Sequence, residues 1–255
     1  MIKFGVAGLG GVKQAVENIK IYSKLGIKAC EIAFTYGVYI KNKEYALKIK
    51  KASEKYKVDL SVHAPYWINL NSKDQDKIKA SKKRILKSAE VGSWLGVQNV
   101  VFHCGYYSKK DKEETFQNIK KEILDIQQII KKNKWNVTLC PEIMGKKNVF
   151  GSINEISRLV KETSCGFCID LAHVLARYGA YEIALLKKYF PEKRWHCHFS
   201  GIEYGKLGEK HHKKTSINDI KNLLKILPKN KKITIINESP CPIEDSVASI
   251  KIYNT

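Results

Sequence analysis

Six residues of metal-ligating or acid–base type stand at the C-terminal ends of short apolar runs: His63, His103, Glu142, Asp170, His198 and Glu238. With only 7 His and 25 Asp plus Glu among 255 residues, chance does not readily place one at so many run ends in succession. His173 follows Asp170 closely, and Glu209-Lys210-His211 fall in the loop after the seventh run. Imidazole nitrogens and carboxylate oxygens, with no thiolate required, suit zinc, with manganese as second choice. One ion would use three or four of these groups. Two or three ions sharing a bridging carboxylate can hold a phosphate, generate hydroxide near neutral pH, and stabilise both the attacking and leaving oxygens of an in-line displacement. That is phosphodiester chemistry.

Groups so far apart in sequence meet only if the fold gathers the run ends. Apolar and β-branched runs predict strands at 2–7, 28–34, 58–63, 98–103, 136–142, 165–170, 194–199 and 232–238. Between them the helical period predicts helices near 12–25, 43–56, 74–95, 111–133, 152–163, 180–190 and 216–227, with a short last one after Pro242. Eight βα units in about 250 residues are the arithmetic of an α/β fold, a (β/α)8 TIM barrel, in which strand ends converge on one rim. No linker or low-complexity tract interrupts residues 1–255, so one domain is expected.

Charge points to the partner. The 46 Lys and Arg against 25 Asp and Glu give a net charge of +21, which suits a polyanion such as nucleic acid. Nearly all of the excess is lysine, so part of it is equally well read as solvated helix surface. The 7 cysteines are scattered through a chain long enough to bury a core without staples, and reduced thiols are expected. No apolar stretch is long enough to span a membrane, and the opening Met1-Ile2-Lys3-Phe4-Gly5-Val6 reads as a strand rather than a signal peptide. A cytoplasmic protein without membrane partners is expected.

The chain resembles the endonuclease IV family of apurinic/apyrimidinic endonucleases. The matching segments are Val6-Ala7-Gly8-Leu9-Gly10-Gly11, Val62-His63-Ala64-Pro65-Tyr66-Trp67-Ile68-Asn69-Leu70 and Val101-Phe102-His103-Cys104-Gly105. They continue with Pro141-Glu142, Cys168-Ile169-Asp170-Leu171-Ala172-His173, Cys197-His198-Phe199-Ser200, Glu209-Lys210-His211-His212 and Asn237-Glu238-Ser239-Pro240, in the family's order. The resemblance implies three zinc ions. His63, His103 and Glu142 would hold one, Glu142 with Asp170, His198 and Glu238 a second, and His173, Glu209 and His211 the third. It implies hydrolysis of the phosphodiester 5′ to an abasic site in double-stranded DNA, leaving a 3′-hydroxyl, with Glu142 as the catalytic carboxylate. It places Tyr66 and Trp67 where side chains enter the damaged duplex, and a monomer is expected. Glu209 stands where an Asp is usual.

Other signals compete. Gly8-x-Gly10 with Glu31 beyond it hints at a dinucleotide fingerprint, but Lys13 occupies the third glycine position. Cys165-x-x-Cys168 lacks a second pair and reads as buried packing, while His196 falls on the side of His198 but deeper. Glu31 reads either as a member of the site or as half of an ion pair inside the barrel. Tyr106-Tyr107 either track a phosphate backbone or cover the barrel mouth. Among functions, a single-metal sugar isomerase or epimerase would use only Glu142, Asp170, His198 and Glu238. A damage-binding protein would leave this concentration of polar ligands without a purpose.

Overall fold

The computed structural model describes residues 1–255. Its strands are β1 (Ile2–Ala7), β2 (Ala29–Ala33), β3 (Asp59–His63), β4 (Asn99–Phe102), β5 (Thr138–Pro141), β6 (Ile169–Asp170), β7 (Arg194–Phe199), β8 (Gly201–Gly205), β9 (Gly208–Lys213) and β10 (Lys232–Asn237). Its helices are α1 (Ala15–Lys24), α2 (Lys43–Tyr56), α3 (Gln75–Leu95), α4 (Lys112–Lys132), α5 (Ile153–Thr163), α6 (Leu171–Tyr178), α7 (Ile183–Tyr189), α8 (Ile217–Ile226) and α9 (Pro242–Asn254). The parallel sheet runs β5-β4-β3-β2-β1-β10-β7-β6. It closes at the β5–β6 seam through a bridge between Glu142 and Cys168, with Cys168 N–H donating to the Pro141 carbonyl at 3.0 Å and Ile143 N–H donating to the Cys168 carbonyl at 3.0 Å. The expected TIM barrel is therefore present, and its narrowest closure lies at Glu142.

Local chemistry accounts for most element boundaries. Asp74, Asp111, Ser152 and Ser216 accept hydrogen bonds from the orphan amides of α3, α4, α5 and α8, the last two in capping boxes. Pro242 opens α9 at a position where its missing N–H costs nothing. Along each strand the residues alternate between the two faces of the sheet. In β7, Trp195, Cys197 and Phe199 pack outward under the helices, where the Trp195 indole donates to the Phe190 carbonyl at 3.0 Å, while His196 and His198 face the barrel axis and meet Glu31.

Three elements depart from the sequence expectation. Helix α6 begins directly after Asp170, whereas the helical period predicts a helix only from about residue 180. The segment after β7, which reads as a loop, folds into the antiparallel hairpin β8–β9. The last helix, expected to be short, runs for 13 residues. The hairpin is invisible in the sequence because it is held by tertiary contact. Gly208 has φ +95°, and a Cβ there would collide with the Gly145 carbonyl oxygen. Gly208→Ala should therefore destabilise the protein by about 1–3 kcal/mol, from left-handed strain plus the lost approach. Thermal melting checks the loss, and far-UV circular dichroism should show the barrel retained.

Candidate metal centre

The barrel brings the strand-end residues of the sequence reading onto one rim, around the Glu142 carboxylate. His63 ends β3, Asp170 ends β6 and His198 lies one residue inside the end of β7; His103, Glu142 and Glu238 each follow the last residue of β4, β5 and β10. Glu142 Oε2 lies 3.0 Å from His63 Nε2 and 3.0 Å from His103 Nε2. Glu142 Oε1 lies 3.2 Å from His173 Nδ1 and 3.4 Å from His198 Nδ1, and the latter is 3.3 Å from Glu238 Oε2. Five donor sets have their ligand atoms within 4.8 Å of one another. Three correspond to the expected centre: His63, His103 and Glu142; Glu142, Asp170, His198 and Glu238; and Asp170, His173 and His212. Cys168, His196 and His198, and Glu31, His63 and Glu238, form the other two.

Each of four imidazoles has one nitrogen met by a partner outside the three corresponding sets; in His63, His198 and His212 the other nitrogen turns to the centre, whereas His173 Nδ1 faces Glu142 and Asp170 as well. His63 Nδ1–H donates to the Ala64 carbonyl at 2.8 Å, and His173 Nδ1–H to the Ile143 carbonyl at 3.0 Å. His212 Nδ1 meets Ser200 Oγ at 2.9 Å, and His198 Nε2 lies 2.8 Å from Glu31 Oε1. Such partners fix the tautomer and orientation of a metal-binding histidine. Asp170 divides its oxygens similarly. As the N-cap of α6 it accepts the His173 backbone N–H at 2.8 Å, while Oδ2 is left without a hydrogen-bond partner. Glu142 Oε1 and both nitrogens of His198 also lack a hydrogen bond, His198 Nε2 meeting Glu31 Oε1 by ion-pair distance alone. Buried polar atoms are seldom left so, and their convergence fits a divalent cation.

The charge balance agrees. Burial raises the Asp170 pKa. Burial also opposes ionisation of Glu142, yet His103 and His198 prevail and hold its carboxyl well below the usual range. Burial alone would push the His63 and His173 imidazoles down, but the carboxylates beside them prevail and raise them to about 9 and about 10.

The third set differs from the expectation at two members: Asp170 stands in it rather than Glu209, and His212 rather than His211. His211, expected in it, is exposed and pairs across the hairpin with Glu203, while His212 takes the place beside His173 at 3.2 Å between Nε2 atoms. The cause is a β-bulge. Tyr204 pairs with Glu209 and Glu203 with His211, so Lys210 is the extra residue and Glu209 shares a face with His212 instead of His211. Glu209 Oε2 stands 3.5 Å from His173 Nε2. The resemblance, carried over position by position, leads to His211, and the bulge puts His212 in that place instead.

Glu31 lies below the centre, wholly buried, accepting from Ser61 Oγ at 2.7 Å and meeting His196 Nε2 at 2.8 Å besides His198. Tyr66 stacks on His103, with ring centroids 5.6 Å apart and planes at 21°, and Trp67 next to it is 64% exposed. Tyr107 donates to Glu155 and packs against the core, whereas Tyr106 is exposed. Beside Glu209, Lys146, Lys206 and Lys210 border a cavity of about 440 Å³.

Residues 19–252 match the xylose isomerase-like TIM barrel family. An uncharacterized protein of Methanocaldococcus jannaschii is 36% identical over 272 residues, covering 100% of this chain and 97% of its own. A probable endonuclease 4 of Mycobacterium leprae is 29% identical over 116 residues, 45% of each chain, so under half of that relative's length is matched. Among solved structures, SacUVDE superposes with a TM-score of 0.78 at 12% identity, over 100% of this chain and 98% of the other. Endonuclease IV from Thermus thermophilus gives 0.71 at 18%, over 99% and 97%. D-psicose 3-epimerase from Clostridium cellulolyticum gives 0.68 at 15%, over 99% and 98%. At these identities the structures share the fold.

Two outcomes are expected. Glu31→Gln removes the charge behind His198 and should weaken metal retention about 10–100-fold, read as metal content after dialysis against graded chelator. In metal-stripped protein, His63 and His173 have folded pKa values above their ordinary 6.5, so their stabilisation is complete below pH 6.5 and is lost as pH rises through about 9 and about 10. The melting temperature of stripped protein should fall across that window, and a flat profile would contradict the pairing.

Proposed function

The chain belongs to the xylose isomerase-like TIM barrel family, and on that premise we propose that it is a metal-dependent endonuclease that hydrolyses the phosphodiester 5′ to abasic sites in double-stranded DNA. The observation that carries this reading is the Glu142 carboxylate, whose two oxygens serve different donor sets, with a third set adjoining through Asp170. A polyol-binding centre with a single ion would need only Glu142, Asp170, His198 and Glu238, and would give no use to His63, His103, His173 and His212. The lysine excess and the partial match to a probable endonuclease 4 support the same reading.

In this proposal His63, His103 and Glu142 hold one zinc, Glu142, Asp170, His198 and Glu238 a second, and His173 and His212, with Asp170 and Glu209 beside them, a third. Bound divalent ions supply Lewis acidity to phosphoryl oxygens and lower the pKa of water. Glu142 spans the first two sets and orients the attacking water. Tyr66, braced on His103, and Trp67 fill the gap left by a missing base, where an intact stack would exclude them. Lys146, Lys206 and Lys210 meet backbone phosphates at the rim.

Glu142→Gln should lower incision of an abasic duplex by roughly 10³-fold or more while the barrel stays folded, because a shared carboxylate becomes a neutral amide. Wild-type cleavage in that variant, or turnover of ketohexoses with no incision by the unaltered protein, would overturn the assignment. Trp67→Ala should reduce the preference for abasic over intact duplex with metal content unchanged; equilibrium binding to the two duplexes measures it.

A further inference from the structure

The barrel has a second mouth. At the N-terminal ends of its strands a cavity of about 920 Å³ rises along the axis to Ser61 and His196. Barrel interiors are ordinarily filled by layers of bulky branched side chains. Here Ala29, Ser61, Gly166 and Thr234 are part of the lining, beside larger side chains such as Leu60 and Phe167.

The lining charges are unevenly matched. Lys3 is paired with Asp59, and Lys50 lies 3.9 Å from Glu54. Arg194, Lys232 and Lys57 are exposed and make no ion pair, and the register of β7 and β10 sets the first two side by side. Like charges at one register repel, and an oxyanion between them would turn that repulsion into two charge-assisted hydrogen bonds. Asn99 and Thr234, also in the lining, have side chains bonded to no other protein group and offer neutral donors. His196 forms the roof, with Nε2 engaged by Glu31, so the cavity is separated from the metal centre by the Glu31 carboxylate.

We propose that this cavity binds a small tetrahedral oxyanion, inorganic phosphate or a phosphate monoester, between Arg194 and Lys232. The site is independent of the metal centre and lies on the face of the barrel away from it.

Calorimetric titration of the metal-loaded protein with inorganic phosphate, at constant ionic strength set with chloride, tests it. Saturable binding is expected, weakened at least about tenfold in the Arg194→Ala/Lys232→Ala double variant by loss of both charge-assisted contacts. Phosphate also has affinity for metal ions, so a second measurement uses crystals soaked in selenate. An anomalous selenium peak between Arg194 and Lys232 is expected. Binding unchanged in the double variant, or selenate found at the metal centre and not in this cavity, would overturn the proposal.

Discussion

The Glu142 carboxylate is almost wholly buried at the seam where β5 meets β6, and both of its oxygens face imidazoles. A buried carboxylate is expensive unless it is paired and hydrogen-bonded. That requirement reaches outward. His63, His103, His173 and His198 must all arrive within ion-pair distance of one group, which demands strand ends from several turns of the barrel on a single rim. The backbone bridge that closes the barrel involves Glu142 itself, so the residue at the seam is also the one at the middle of the centre.

Orientation is fixed from behind. The Ala64 carbonyl, the Ser200 hydroxyl and the Glu31 carboxylate each meet the far nitrogen of a histidine, and the Ile143 carbonyl shares His173 Nδ1 with Glu142. These partners come from the strands and the loops that follow them, whose positions are set by the barrel. The imidazoles are thereby held with one nitrogen toward the centre before any ligand arrives, which lowers the ordering cost of binding. Asp170 contributes by a different device, giving one oxygen to the start of α6 and keeping the other for the centre.

The loops at the rim divide the remaining work. Tyr66 is anchored on His103 while Trp67 stands out into solvent, so adjacent aromatics of similar type are held differently. Across the rim, the β8–β9 hairpin lays Ile202 on Ala172 and Ala176 and brings Glu209 and His212 over His173. The hairpin therefore completes the third donor set from outside the barrel sheet.

Period and residue type in the sequence determined the eight-stranded barrel and the strand-end positions His63, His103, Glu142, Asp170, His198 and Glu238, because a parallel barrel aligns strand ends by construction. The helix boundaries at Asp74, Asp111, Ser152 and Ser216 were equally legible, since a cap is a local interaction. The choice of His212 over His211 was not, because a bulge is a property of pairing between two strands and leaves no mark on one of them. Glu31 was legible as one of two alternatives, and the ion pair inside the barrel is the one found, because the choice depends on His196 and His198 lying across the barrel axis. The start of α6 at Asp170 was hidden for a related reason: the strand before it is only two residues long, and the barrel seam, rather than propensity, decides where it ends.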